Sequence, residues 1–111
     1  MSKFDEKVAT YLDALRSNKK AVVDEALLQK VTKALGPSIY LKDASLVSCS
    51  DQAEMDRVKN NFLIKKLGLK DGPQLDAAIK DICAQYDERN KYRAVFYYML
   101  VKKLGLESKF A

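Results

Sequence analysis

The chemistry open to this 111-residue chain is bounded first by a side chain it lacks, because it contains no histidine. That excludes Ser-His-Asp and Cys-His nucleophilic catalysis, imidazole acid/base work and every zinc set that includes imidazole. The two cysteines, Cys49 and Cys83, are too few for a Cys₃ or Cys₄ site, so no metal and no cofactor are expected. With no export signal in the chain, they read as free thiols rather than a bridge. Cys83 fits a core stripe of Leu75, Ile79, Ile82 and Tyr86 and reads as a small buried hydrophobe. Cys49 lies in Ser48-Cys49-Ser50-Asp51, just ahead of a predicted helix. Such a position lowers a thiol pKa where a basic partner is also present, and none stands beside it. The carboxylates Asp24-Glu25 and Asp87-Glu88 fall at predicted helix N-termini, where the dipole alone favours acidic residues.

Basic residues make the second group with chemical potential. The net charge is +5, and it is uneven: +2 over residues 1–20, zero over 21–50, +2 over 51–70, −3 over 71–87 and +4 over 88–111. Lys65-Lys66 and Lys102-Lys103 occupy the last turns of two predicted helices, and Arg89, Lys91 and Arg93 surround Tyr92 at the start of the final one. These seven are the candidate anion or nucleic-acid-binding residues. Helix ends lying side by side would put four lysine charges on one rim able to hold phosphates. The simpler reading is that each lysine faces the negative end of its own helix dipole, and that charges flanking an apolar helix keep it soluble. An acidic segment beside the basic ones argues against a broad face of one sign.

The elements that must position these residues are helical. One ending occurs three times, Thr32-Lys33-Ala34-Leu35-Gly36, Ile64-Lys65-Lys66-Leu67-Gly68 and Val101-Lys102-Lys103-Leu104-Gly105. A Gly just past the last periodic residue adopts the left-handed cap, and Leu69 and Leu106 supply the apolar residue that packs back on the preceding turn. The match between the last two endings does not extend upstream, so it is a reused cap rather than a repeat.

The pattern predicts a first helix from Lys3 to Ser17 with Phe4, Val8, Leu12 and Leu15 inward, and a second bearing Val23, Leu27, Val31 and Leu35. Period is lost between residues 37 and 50, where Ile39, Tyr40, Leu41, Leu46 and Val47 are apolar enough to be buried, and the stretch reads as a short helix or turn around Ser38 to Lys42 followed by a packed loop. A third helix through Met55, Val58, Phe62, Leu63 and Leu67 has Ser48, Ser50 and Asp51 as competing N-caps, with Asp51 and Glu54 spaced as a capping box. Asn60-Asn61 on it, poor helix formers that could face a pocket as polar ligands, are read instead as solvent-facing or backbone-bonded. Pro73 opens a fourth helix. The last carries Ala94 to Val101, apolar all round and so expected at the centre. No apolar run approaches the roughly 18 residues that span a bilayer, so a cytoplasmic protein with no membrane contact is expected.

Together Val23-Asp24-Glu25-Ala26-Leu27-Leu28, Leu35-Gly36-Pro37-Ser38-Ile39-Tyr40, Asp43-Ala44-Ser45-Leu46-Val47-Ser48, the stretch from Val58 to Gly68, and Asn90-Lys91-Tyr92-Arg93-Ala94-Val95 resemble a family of short bacterial proteins catalogued only as a domain of unknown function. The resemblance spans nearly the whole chain. It implies a single helical domain and brings no activity, cofactor or site residue with it.

The reading is therefore an all-α, compact single domain over residues 1–111, a bundle of five or six helices around its apolar C-terminal helix. It is expected to be non-enzymatic and to bind a protein partner. Weak, salt-sensitive nucleic-acid binding through basic helix ends is the alternative, and a histidine-free enzyme the third.

Overall fold

A helix that is apolar all round needs neighbours on every side, and the final helix obtains them. The computed structural model describes residues 3–17, 23–41, 46–86 and 91–110. They form five helices: α1 (Lys3–Ser17), α2 (Glu25–Leu35), α3 (Gln52–Arg57), α4 (Pro73–Gln85) and α5 (Arg93–Leu104). α3 continues as a π-helix over Val58–Lys66, and 3₁₀ turns occupy Gly36–Tyr40 and Glu107–Phe110. Every residue of α5 from Ala94 to Val101 is buried, against α1, α2, α4 and a two-strand ladder. The fold is all-α, with the C-terminal helix at its centre.

Local sequence explains most boundaries. The three glycines expected to stop helices, Gly36, Gly68 and Gly105, all take positive φ, between 68° and 72°. Beyond Gly105 the Leu106 amide donates to the Val101 carbonyl at 3.0 Å, closing the last turn, and Leu106 rests half-buried on the core. Asp51 wins the competition to cap α3, its carboxylate accepting from the amides of Ala53 and Glu54. The reciprocal half of the capping box is absent, because the Glu54 carboxylate is held by Arg57 and Arg93 instead. Pro73 does open α4.

Four expectations are corrected. Val23 is exposed rather than on the inner stripe of α2, because Asp24 caps that helix one residue later; its carboxylate accepts from Leu27 N and its own amide donates to the Tyr98 hydroxyl at 2.7 Å. Tyr40 and Leu41 are exposed while Ile39 is buried, since successive residues on a tight turn cannot all face inward. The aperiodic stretch contains a strand, β1 (Leu46–Val47), paired antiparallel with β2 (Lys91–Tyr92), Leu46 opposite Tyr92 and Val47 opposite Lys91. Finally, Cys49 and Cys83 are joined in a disulfide. The chain reverses between Gly68 and Gly72, so the end of α4 returns beside the start of α3 and the two Cα atoms come within 5.9 Å, bridging range. Closing a 34-residue span restricts the unfolded chain and stabilises the fold by about 3–4 kcal/mol on the chain-entropy account.

Phe96 is fully buried on α5. Phe96→Ala is expected to lower unfolding free energy by about 3–5 kcal/mol, read from urea titration; a change under about 1 kcal/mol would show α5 to be peripheral.

One buried polar atom stands out. The Tyr11 hydroxyl has no hydrogen-bond partner among the described residues, and its ring lies 5.2 Å from that of Tyr92. Burial, with smaller contributions from Tyr92, Tyr40 and Tyr86, pushes its pKa up to about 12. The unfolded chain ionises near pH 10 while the native one keeps its proton, so the native state binds more protons in that window and stability falls as pH rises from about 10 to about 12. Two pKa units correspond to about 2–3 kcal/mol. Tyr11→Phe should stabilise the protein at neutral pH by about 1 kcal/mol and flatten this alkaline loss. An unchanged loss in melts from pH 8 to 11 would assign the effect to other groups.

Candidate functional site

The basic residues singled out in sequence are not gathered into a site. Lys102 Nζ lies 3.8 Å from the Asp24 carboxylate, at the start of α2, and Lys66 Nζ donates to the Ala34 carbonyl at 3.0 Å, at its end. The twin-lysine segments therefore flank opposite ends of an 11-residue helix, roughly 15 Å apart, and share no rim. Lys103 pairs with Asp81 of α4 at 2.9 Å, and Lys65 is exposed.

Arg93 points inward. It pairs with Glu54 at 2.5 Å, donates to the Leu46 carbonyl at 3.2 Å and to the Tyr97 hydroxyl at 3.1 Å, and its side chain is 17% exposed. Burial would pull its pKa down, but Tyr97 and Glu54 outweigh that and hold it above the ordinary arginine value. Lys91 sits half-buried in β2, and Arg89 lies outside the described residues. Arg93 is thus a structural cation that ties α5, α3 and β1 together. Asn60 and Asn61 are exposed, as expected.

What the fold does assemble is a groove of about 520 Å³ between α3, with the first turn of its π continuation, and α4. Gln52, Met55, Asp56 and Lys59 line one wall; Asp76, Ile79, Lys80 and Cys83 line the other, and Cys49 joins them through the bridge. Both sets run i, i+3, i+4, i+7, so each is one face of its helix. Met55 and Ile79 are buried and form an apolar floor with the disulfide, the Met55 sulfur lying 3.8 Å from Cys83 Sγ. That sulfur is bridged and carries no hydrogen, so the contact is a packing one.

The rim is charged and balanced. Lys59 reaches across the groove to Asp76 at 3.3 Å and to Asp71 at 3.5 Å. The hydrogen bond to Asp76 holds the Lys59 ammonium above the ordinary lysine pKa, with burial working the other way. Lys80 and Asp56 are exposed at the edges. Among the described residues, no cluster of three or more Cys, Asp or Glu side chains is placed to hold a metal ion.

The family model described as "Protein of unknown function (DUF2853)" matches residues 10–108. The chain belongs to that family. The match begins inside α1 and ends in the last 3₁₀ turn, so both groove walls of this DUF2853 protein fall within it. No curated protein sequence matches the chain. No helix of this DUF2853 protein, among the described residues, is long and apolar enough to cross a membrane.

None of the groove's rim residues was anticipated as a site. The signal was present as two 3-4 spaced faces of matching mixed composition, but each looks like an ordinary solvated helix face until the hairpin opposes them.

The dispersed lysines generate a test. Changing Lys65, Lys66, Lys102 and Lys103 together to Gln should cost roughly 1–2 kcal/mol, since exposed pairs and dipole contacts are each screened by solvent. Retention of the parent on a duplex-DNA column at about 0.1 M salt should match that of the variant. Retention of the parent alone would restore the basic rim.

Proposed function

We propose that this DUF2853 protein is a non-enzymatic binding module whose groove between α3 and α4 takes a segment of a protein partner, one apolar side chain seated among flanking residues of both charges. The observation that carries this reading is the composition of the groove: an apolar floor of Met55, Ile79 and the disulfide inside a rim where Lys59 and Lys80 balance Asp56 and Asp76. A phosphate backbone needs a face of one sign, and this rim has none. A peptide supplies both signs and an apolar anchor, and the volume accommodates a large side chain with its neighbours.

The absence of histidine and the pairing of Lys59 with two carboxylates support a binding rather than a catalytic role. The reading sets the module in the cytoplasm, where thiol pools keep cysteines reduced. A bridge in that setting is one that opens and closes.

The test is capture from host lysate on the immobilised chain, after nuclease treatment, against a variant carrying Gln52→Glu and Lys80→Glu. Both positions are exposed, so the fold should survive, which circular dichroism checks. A protein retained by the parent through nuclease and lost from the variant is the expected result. A species that disappears with nuclease, or is retained equally by both chains, would refute the groove as the contact surface.

A further inference from the structure

The disulfide lies where the groove meets the edge of the core, both cysteines packing against the core while lining the groove. Both of its sulfurs belong to half-buried residues that line the groove, so a small molecule or an extended segment that enters meets the S–S bond. The two ends differ. Cys83 Sγ lies against the Met55 thioether, while Cys49 sits in a turn between exposed Ser48 and Ser50. Lys80 stands one turn before Cys83 on the same face of α4, lines the same groove, and has no ion pair among the described residues. Disulfide exchange needs an accessible sulfur to attack and a stabilised thiolate to leave. A cation beside a cysteine favours its thiolate.

We propose that the Cys49–Cys83 bridge is a thiol-exchange site, at which an external thiol enters the groove, attacks Cys49 and expels Cys83. In the first step an incoming thiolate forms a bond to Cys49 Sγ as the Cys49–Cys83 bond breaks. Cys83 leaves as a thiolate beside Lys80 and takes a proton from solvent. In the second step another thiolate attacks the mixed disulfide, releasing the oxidised external disulfide and leaving Cys49 to be protonated. Two external thiols are oxidised and the bridge is reduced by two electrons and two protons. The reductant is a thiol, either a low-molecular-weight one or the dithiol of a protein. Opening the bridge uncouples the two walls of the groove. The inference stands on the placement of these residues and holds whether or not a protein partner binds.

The experiment uses the oxidised full chain in native buffer, incubated separately with reduced glutathione and with reduced thioredoxin, quenched by alkylation and read by mass spectrometry. Two alkylated cysteines should appear at a rate that rises in proportion to thiol concentration, with any trapped mixed disulfide mapped by fragmentation to Cys49. Reduction by glutathione assigns a small thiol as sufficient; reduction by thioredoxin alone assigns a protein dithiol. Lys80→Gln keeps the bridge and should slow reduction several-fold at low salt, a difference that vanishes in about 1 M salt. A rate independent of thiol concentration and equal to that of global unfolding would make the bridge purely structural and overturn the proposal. An adduct mapped to Cys83, or a Lys80→Gln rate equal to the parent's, would overturn the assigned direction of attack.

Discussion

Burial of α5 is the constraint from which the other placements follow. From Ala94 to Val101 no residue of it faces water, and each large side chain there contributes about 1.5–3 kcal/mol through removal from solvent. That gain is available only if neighbours cover every side of the helix, which fixes α1, α2 and α4 around it and leaves the chain few alternative arrangements. The phenols it carries inward must still be satisfied. Tyr98 accepts the Asp24 amide and Tyr97 accepts from Arg93, while Phe62 stacks on the Tyr97 ring at 4.0 Å. Hydrogen bonds accepted by its own tyrosines thus help set where α2 begins and where Arg93 turns. Burial pushes both phenols above the ordinary tyrosine pKa, although Arg93 and the Asp24 amide oppose it.

Arg93 shows why a charged cluster in sequence need not be a charged patch in space. The start of α5 meets the side of α3 and the end of β1, where the Leu46 carbonyl and the Glu54 carboxylate would otherwise lose hydrogen-bonding partners to burial. A guanidinium, with several donors in a fixed fork, satisfies both. A half-buried carboxylate with its cation removed is costly, so this pair secures the geometry more than it adds net stability. The same demand removes Arg93 from any interaction with a ligand.

Much of the fold was legible because helix boundaries are written locally. Gly36, Gly68 and Gly105 end their elements through a backbone conformation that glycine adopts without a steric penalty, and Asp51 and Pro73 begin theirs through hydrogen-bond and dihedral preferences of single residues. The π continuation of α3 was not legible. Val58 and Phe62, like Leu63 and Leu67, are four apart, while Val58 and Leu63, like Phe62 and Leu67, are five apart, a set of intervals that a wider helix accommodates as readily as an α-helix. The two strands escaped for a similar reason: two residues each give no alternation to read, and their pairing joins Val47 to Lys91 across 43 intervening positions.

The groove and its disulfide were hidden by a different kind of distance. Cys49 reads as a loop thiol and Cys83 as a buried core one from their own neighbours, yet the structure bridges them and leaves both half-buried, and neither neighbourhood contains the other. Only the reversal at Gly68–Gly72 sets the start of α3 against the end of α4, and the same reversal turns two ordinary amphipathic faces into opposing walls. Two cysteines far apart in sequence read as free thiols, an expectation that concerns whether a bridge would persist and not whether one could form. Geometry answers the second question, since two cysteines held within bridging range pair whenever an oxidant is present. The lysines make the converse case. Lys65-Lys66 and Lys102-Lys103 look like one feature because they share a local motif, yet the motif encodes a helix end, and α2 passing between those ends separates them. Residues alike in local sequence are dispersed here and residues unlike are joined, so the grouping of reactive and charged side chains in this chain follows the packing around α5 rather than any run of adjacent residues.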